Sequence, residues 1–316
     1  MHSIYIDDFS YALGEVRSSV EDAAASHRTL SNSETLKESG FTFHHMLGSD
    51  RSAYELAQEA LAPFSKNLDH VNAIVYSTCI PENGSVGDKS LYASTRDVKH
   101  LMDFPASHLQ ADYGLTGASV FGLNQQACTG MLGSLRLARM LLLSEPDVND
   151  VLCVTADRFP ADAIYEQAYC LISDGAATCR VSRTEGAFRL LSTHAITNGA
   201  MSLASDDETV GSFFSYSHNL ITQLLQKSAL CMADIDWIVP QNTNKKAWQV
   251  MSSLLRFDYQ RVYFPTLPDV GHVISGDNII NLKHLLDSGK LASGEKVLLF
   301  MAGYGLNWQG AVLEKV

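Results

Sequence analysis

The sequence has 316 residues. It contains no apolar run of the roughly 18–20 residues that a bilayer-spanning helix needs. Its start, "MHSIYIDDFSYALGE", lacks the basic residues and apolar stretch of a secretory leader. A cytoplasmic protein with no membrane partner is therefore expected. Six cysteines (Cys79, Cys128, Cys153, Cys170, Cys179, Cys231) include no C-x-x-C pair, so neither a disulfide framework nor a cysteine-built metal site is expected. His44–His45 is the nearest thing to a ligand pair, and neighbours on a strand point to opposite faces. No metal is expected. Positive charge is also scarce: 23 Lys and Arg stand against 35 Asp and Glu, for a net charge of −12. That balance argues against nucleic acid as a partner. Charged residues of all kinds make up only 18% while hydrophobic residues reach 46%, as in a compact globular chain with one surface hidden in an oligomer.

What is present is a pattern stated twice. "SAYELAQEALAPFSKN" reads as a helix leading to the strand-like "LDHVNAIVYST", and "SHNLITQLLQKSALC" leads in the same way to "ADIDWIVPQNT". Residues 127–157 read as turn, helix, acidic loop and strand, and residues 271–303 repeat that order. "DGAATCRVSR" and "QGAVLEKV" close the two stretches as matching strands. Such a duplication implies two α/β halves with parallel strands, here 1–183 and 184–316, related by a pseudo-twofold axis. Ligands in such sheets bind at the carboxyl ends of strands, where helices begin.

Cys128 lies at one of those junctions. "GASVFGLN" before it alternates like a strand that is apolar enough to be buried on both faces, and "MLGSLRLARMLLLS" after it is apolar at helical spacing. A helix N-terminus favours an adjacent anion, here the nucleophilic thiolate. The duplication makes the segment around His272 its symmetry mate. A buried structural cysteine at a tight turn is the plainer reading of the same pattern.

With these segments assembled, the chain resembles the β-ketoacyl-acyl-carrier-protein synthase III (KAS III) family of thiolase-fold condensing enzymes. "NQQACTGMLGSLRLA" resembles the nucleophile segment of that family, and "LISDGAAT" its Gly-Asp-Gly-Ala turn. "DIDWIVPQNTN" resembles its Pro-His-Gln-Ala-Asn strand end, and "VLLFMAGYGLNWQGAVL" its closing glycine-rich loop and strand. The resemblance implies an α/β thiolase fold, two duplicated βαβαβαββ halves in five αβαβα layers. It also implies a cytoplasmic homodimer paired through the strand before Cys128. The implied chemistry is a ping-pong reaction in which Cys128 takes an acyl group from an acyl-CoA or acyl carrier protein. No cofactor is implied, because the coenzyme A or phosphopantetheine thioester is itself the substrate.

The family's catalytic His and Asn are missing. Gln241 stands where the His belongs and Gly271-His272 where Gly-Asn belongs. Gln cannot exchange a proton near neutral pH, whereas His can. Asp277 follows, one to two turns into the next helix start. The expectation is thus a Cys128–His272–Asp277 chain of nucleophile, base and orienter, with Gln241 as auxiliary donor. Asp277 also suits the positive end of its own helix, His272 a packed position, and Gln241 a site where catalysis was lost. Gly303 and Gly305 bring backbone N–H groups near the thioester oxygen. Asn244, Lys245, Lys246 and Arg256 are candidates to bind the substrate or dock an acidic carrier. The function expected is acyl transfer to a small-molecule hydroxyl or amine, or a Claisen-type condensation, in secondary metabolism. The alternative is a non-catalytic or half-catalytic partner subunit of a heteromeric condensing enzyme.

Overall fold

The alternating patterns resolve into nine strands of one mixed sheet in the computed structural model, which describes residues 3–80, 90–160, 162–168, 170–204, 206–304 and 306–316. The first five are β1 (Tyr5–Leu13), β2 (Ala73–Ser77), β3 (Ser119–Leu123), β4 (Asp150–Asp157) and β5 (Gly175–Ser182). The others are β6 (Phe188–Thr197), β7 (Trp237–Val239), β8 (Lys296–Gly303) and β9 (Asn307–Lys315). Six helices matter to the site: α1 (Ala53–Leu61), α2 (Pro105–Asp112), α3 (Gly130–Ser144), α4 (Asp206–Lys227), α5 (Lys245–Leu255) and α6 (Asp277–Asp287).

The strand order is β3-β2-β4-β5-β1 in one half and β6-β9-β8-β7 in the other. The half-sheets join where Tyr5 and Ile6 of β1 pair with Arg189 and Phe188 of β6. Helices α3 and α6 pack between the half-sheets, with α1 and α2 outside the first and α4 and α5 outside the second. This gives the five layers that the resemblance implies. β4 is buried at all eight positions, so its apolar run serves two faces at once.

Two features depart from a strict duplication. In the second half the counterpart of β3 shrinks to a single parallel bridge between Ile238 and Val262. Pro265 and Pro268 follow closely, and each lacks the N–H that a ladder needs. The second departure is β3 itself. Its residues are half-buried or exposed, not buried on both faces as its apolar alternation leads one to expect. The reason is position: β3 is the last strand of the sheet and pairs only with β2, so a single chain leaves its outer edge open.

Local chemistry sets the helix starts. α1 opens with a capping box, in which the Ser52 hydroxyl accepts from Glu55 N–H and the Glu55 carboxylate accepts from Ser52 N–H. α3 and α6 open differently. Each follows a non-glycine residue in the left-handed region, Ala127 at φ 45° and Ile274 at φ 44°, and then a single 3-10 turn. Such φ values are uncommon for these residues and re-aim the chain sharply. Ala127 therefore matches Ile274, Cys128 matches Ser275, and Gly130 matches Asp277. The strict symmetry mate of the cysteine is Ser275, and His272 stands three residues before it.

Candidate active site

Cys128 sits in the 3-10 turn Ala127–Thr129 that leads into α3. Its side chain is nearly buried, at 7% exposure, and faces a cavity of about 350 Å³. Gly130 lets this turn approach the end of β2, since a Cβ there would lie 3.0 Å from the Ser77 Cβ. From the opposite half, His272 reaches the same point, with its Nε2 3.4 Å from the Cys128 Sγ. The backbone of His272 is held by the first half: its N–H donates to Leu171 O, and its carbonyl accepts from Ser173 N–H.

Behind His272 lies Asp277, the first residue of α6 rather than one further along it. Its Oδ2 is 2.5 Å from His272 Nδ1 and also accepts the Asn242 N–H at 2.7 Å. Its Oδ1 accepts the Val273 N–H at 2.7 Å. The carboxylate does not cap its own helix. It is spent on orienting the imidazole and the loop that carries it. With Nδ1–H pointing at the carboxylate, Nε2 is the nitrogen left for the sulfur. Burial by itself would lower the His272 pKa, but the Asp277 charge and hydrogen bond win, raising it to about 9. A protonated imidazole beside Sγ can hold a thiolate there.

Gln241 is buried at the end of β7 and accepts the Ala302 N–H through its Oε1. A backbone N–H demands the oxygen, so the amide NH₂ is the group left for the cavity wall that Gln241 helps to form. Gly303 lines the same cavity. A Cβ there would lie 2.9 Å from Gln126 O and 3.1 Å from Cys128 N, so glycine keeps the Cys128 N–H open to a ligand. Gly305 lies outside the described residues.

The binding candidates separate. Asn244 lines the cavity, but its Oδ1 caps α5 by accepting the Lys246 N–H and its Nδ2 donates to Ser39 Oγ. Lys246 stands at the cavity wall and pairs with Glu38 at 2.8 Å, while Lys245 is half-buried beside it. Arg256 does not join them. It is the left-handed C-cap at the far end of α5, about 16 Å away at 1.5 Å per helical residue, and it lines a different cleft. Apolar residues, among them Phe213, Phe214, Leu306 and Trp308, supply much of the remaining wall.

Sequence reasoning missed three contributors. One is Asn242. Its side chain donates to Thr266 Oγ1 and Gly271 O and accepts from Asn281 Nδ2, which fixes the His272 turn. Gln309 donates to Gln126 Oε1 and Thr129 Oγ1 on either side of Cys128. Cys79, after β2, is half-buried and packs against the apolar cluster that contains Cys128. None carries a local signal, because each acts across a sequence gap. Among the described residues, no group of three His, Cys, Asp or Glu side chains is placed to hold a metal, and no helix is long and apolar enough to cross a membrane.

Comparison with known proteins points the same way. The family model for 3-oxoacyl-acyl-carrier-protein synthase III matches residues 123–199, and the model for its C-terminal part matches residues 225–315. The beta-ketoacyl-acyl-carrier-protein synthase III of Chlamydia caviae is 26% identical over 289 residues, covering 82% of this chain and 80% of that one. That of Deinococcus radiodurans is 22% identical over 285 residues, covering 81% and 76%. Among solved structures, the acyltransferase ChlB3 superposes with a TM-score of 0.82 at 17% identity over 99% of this chain and 98% of its own. FabH, the 3-oxoacyl-acyl-carrier-protein synthase III of Pseudomonas aeruginosa, gives 0.79 at 22% identity, with 99% and 98% covered. The shared architecture is the thiolase fold.

Proposed function

We propose that this chain, which belongs to the KAS III-like family of thiolase-fold condensing enzymes, is an acyltransferase that moves an acyl group from a thioester to a hydroxyl or amine. The observation that carries the reading is the continuous line Cys128 Sγ, His272 Nε2, His272 Nδ1, Asp277 Oδ2, with contacts of 3.4 and 2.5 Å. It has the nucleophile–base–orienter order of acyl-transfer enzymes.

In the first half-reaction the Cys128 thiolate attacks the carbonyl of an acyl-CoA or acyl carrier protein. The tetrahedral oxyanion is met by the Cys128 N–H and the Gln241 amide. The sulfur of the carrier leaves with the proton of the His272 imidazolium. Neutral His272 then takes the proton of the acceptor O–H or N–H at Nε2 as that atom attacks the acyl-enzyme. Collapse expels Cys128 as thiolate, and the imidazolium pairs with it again. The apolar cavity keeps water from competing for the acyl-enzyme.

Carbon–carbon bond formation is the less supported outcome. Decarboxylation of a malonyl thioester calls for two neutral donors on its carbonyl, and here Gln241 is one while His272 is bound to a carboxylate. A chemically silent partner subunit is also less supported, since it has no use for a buried Cys–His–Asp line. We further assign a homodimer, with the open edge of β3 pairing with its copy, and place carrier docking at Lys245 and Lys246. Arg256 is left out of that dock.

The test is intact-mass measurement after incubation with a panel of acyl-CoA and acyl carrier protein donors, followed by addition of alcohols, amines or malonyl-carrier. Acylation of Cys128 and its discharge by an alcohol or amine, without CO₂ release, is the expected result. Absence of acylation with every donor supports the partner-subunit reading, and CO₂ release with a β-keto product supports condensation.

A further inference from the structure

We infer that Gln309 and Ser275, both in the second half, are positioning residues that aim the Cys128 N–H at the oxyanion of the first half-reaction; the inference rests on the acyl-transfer reading. The turn they hold is strained. Ala127 sits at φ 45° directly before Cys128, a conformation that persists only where the surroundings over-determine it.

Gln309 lies on β9 and is buried. The Thr129 hydroxyl donates to Gln126 O at 2.6 Å, which leaves the hydroxyl oxygen as an acceptor. The Gln309 NH₂ group donates one hydrogen to it at 3.0 Å and the other to Gln126 Oε1 at 2.7 Å. The residues two before and one after Cys128 are thus tied to a single amide on a strand of the other half. Helix α3 makes room for the arrangement. A Cβ on Gly133 would fall on Gln126 Oε1, so glycine there is what admits the Gln126 amide.

Ser275 supplies the second hold. Its buried hydroxyl donates to Ala127 O at 3.1 Å, and the same carbonyl accepts the Gly130 N–H. The peptide joining Ala127 to Cys128 is trans, and a trans peptide is planar with its C=O and N–H pointing opposite ways. Fixing the carbonyl on the Ser275 side therefore fixes the Cys128 N–H on the other. That side is the one bordered by Gly303, where a Cβ would lie 3.1 Å from Cys128 N. An oxyanion donor is effective when it is aimed before the charge develops. Neither Ser275 nor Gln309 is among the described residues of the cavity wall, so each acts through the turn and not on the substrate.

The experiment compares two reactions of Cys128 in the whole protein. Iodoacetamide alkylates the thiolate at a saturated carbon and builds no oxyanion. Octanal is attacked by the same thiolate at its carbonyl carbon. The C=O electron pair moves to oxygen, the His272 imidazolium protonates it, and a tetrahedral hemithioacetal forms with its oxygen in the place of the oxyanion. Octanal affinity is read as protection from iodoacetamide.

Three variants are compared with wild type: Ser275→Ala, Gln309→Met and Gly133→Ala, the last displacing the Gln126 amide while both positioning residues stay. Each should be alkylated within about twofold of the wild-type rate yet lose octanal affinity by about tenfold, a share of the roughly 10² to 10³ that one oxyanion donor contributes. Acylation by the thioester panel should lose kcat in the same proportion with KM nearly unchanged. Gln126→Met combined with Gln309→Met leaves no side-chain amide unpartnered; it guards against loss of fold and should behave in the same way. Wild-type octanal affinity in the variants, alkylation slowed in step with it, or no protection of the wild type overturns the inference. A loss of octanal affinity alone, in a protein that no donor acylates, supports the positioning role and removes the acyl-transfer reading. Equal acylation of wild type and variants does the reverse.

Discussion

Asp277 holds His272 from two residues' worth of backbone as well as from the ring. The same carboxylate that lies 2.5 Å from the imidazole Nδ1 also binds the Val273 and Asn242 N–H groups. It therefore fixes the ring's tautomer, its charge and the position of the turn beneath it.

Asp277→Asn should separate these effects. The carboxylate raises the His272 pKa to about 9 against burial, which lowers it. With an amide in its place burial, the largest single cause, is opposed only by the smaller pull of Cys170 and Cys79, so the imidazole pKa should fall from about 9 back toward the ordinary value near 6.5. Transfer to acceptor should fall by about 10² to 10⁴, the usual cost of a misdirected base. Imidazole resonances followed by NMR across pH 5–10 check the shift; an unchanged midpoint removes Asp277 as the cause.

The same pKa predicts how stability varies with pH. A histidine raised from 6.5 to about 9 in the folded chain contributes stability that is full below 6.5 and lost as pH rises through 9. Urea midpoints of the wild type should therefore decline between those values relative to His272→Gln. Parallel curves for the two proteins contradict the linkage.

His272→Ala should slow transfer from the acyl-enzyme by about 10² to 10⁴, and Gln241→Ala by less, since Gln241 offers only a neutral donor. Self-acylation should suffer less than transfer in His272→Ala, because the start of α3 still favours the thiolate. Single-turnover rates of the two half-reactions give the comparison. Near wild-type transfer in His272→Ala reduces that residue to packing.

Gly303→Ala should abolish acylation more completely than it unfolds the chain. Its Cβ would crowd Gln126 O at 2.9 Å and Cys128 N at 3.1 Å, both main-chain atoms with little room to yield. A loss of about 1–3 kcal/mol in stability is expected for such overpacking. Denaturation and acylation measured on one preparation test this, and normal acylation would exclude the Cys128 N–H as the oxyanion donor.

Val120→Pro should break the homodimer without disturbing the active-site line. Val120 lies in the edge strand β3, where proline's lack of an N–H is harmful only if a second chain pairs there. Sedimentation at micromolar concentration should show a wild-type dimer and a variant monomer. A wild-type monomer counts against pairing through β3.

The candidate nucleophile, the candidate base and the duplicated α/β plan were legible in the residues because each has a local mark. Cys128 lies where a two-residue period gives way to a helical one, and His272 and Asp277 occupy the matching place in the second half. Periodicity of this kind is a property of neighbours along the chain. It fails where burial depends on partners: β3 has the alternation of a covered strand, yet it stands at an edge that only another chain can cover. Arg256 likewise belongs with Lys245 and Lys246 by proximity in sequence, but the length of α5 carries it to the other end.

The sequence by itself determined which side chains are able to do chemistry and that the chain is built twice, through residue type and period. The tertiary structure decided which of them meet. Cys128 and His272 are 144 residues apart, and only the packing of α3 and α6 between two half-sheets brings sulfur and imidazole together. The strained turns at Ala127 and Ile274 and the Asn242 anchor are long-range consequences of that packing. No short window of sequence encodes them, because each is the meeting of surfaces whose residues lie far apart in the chain.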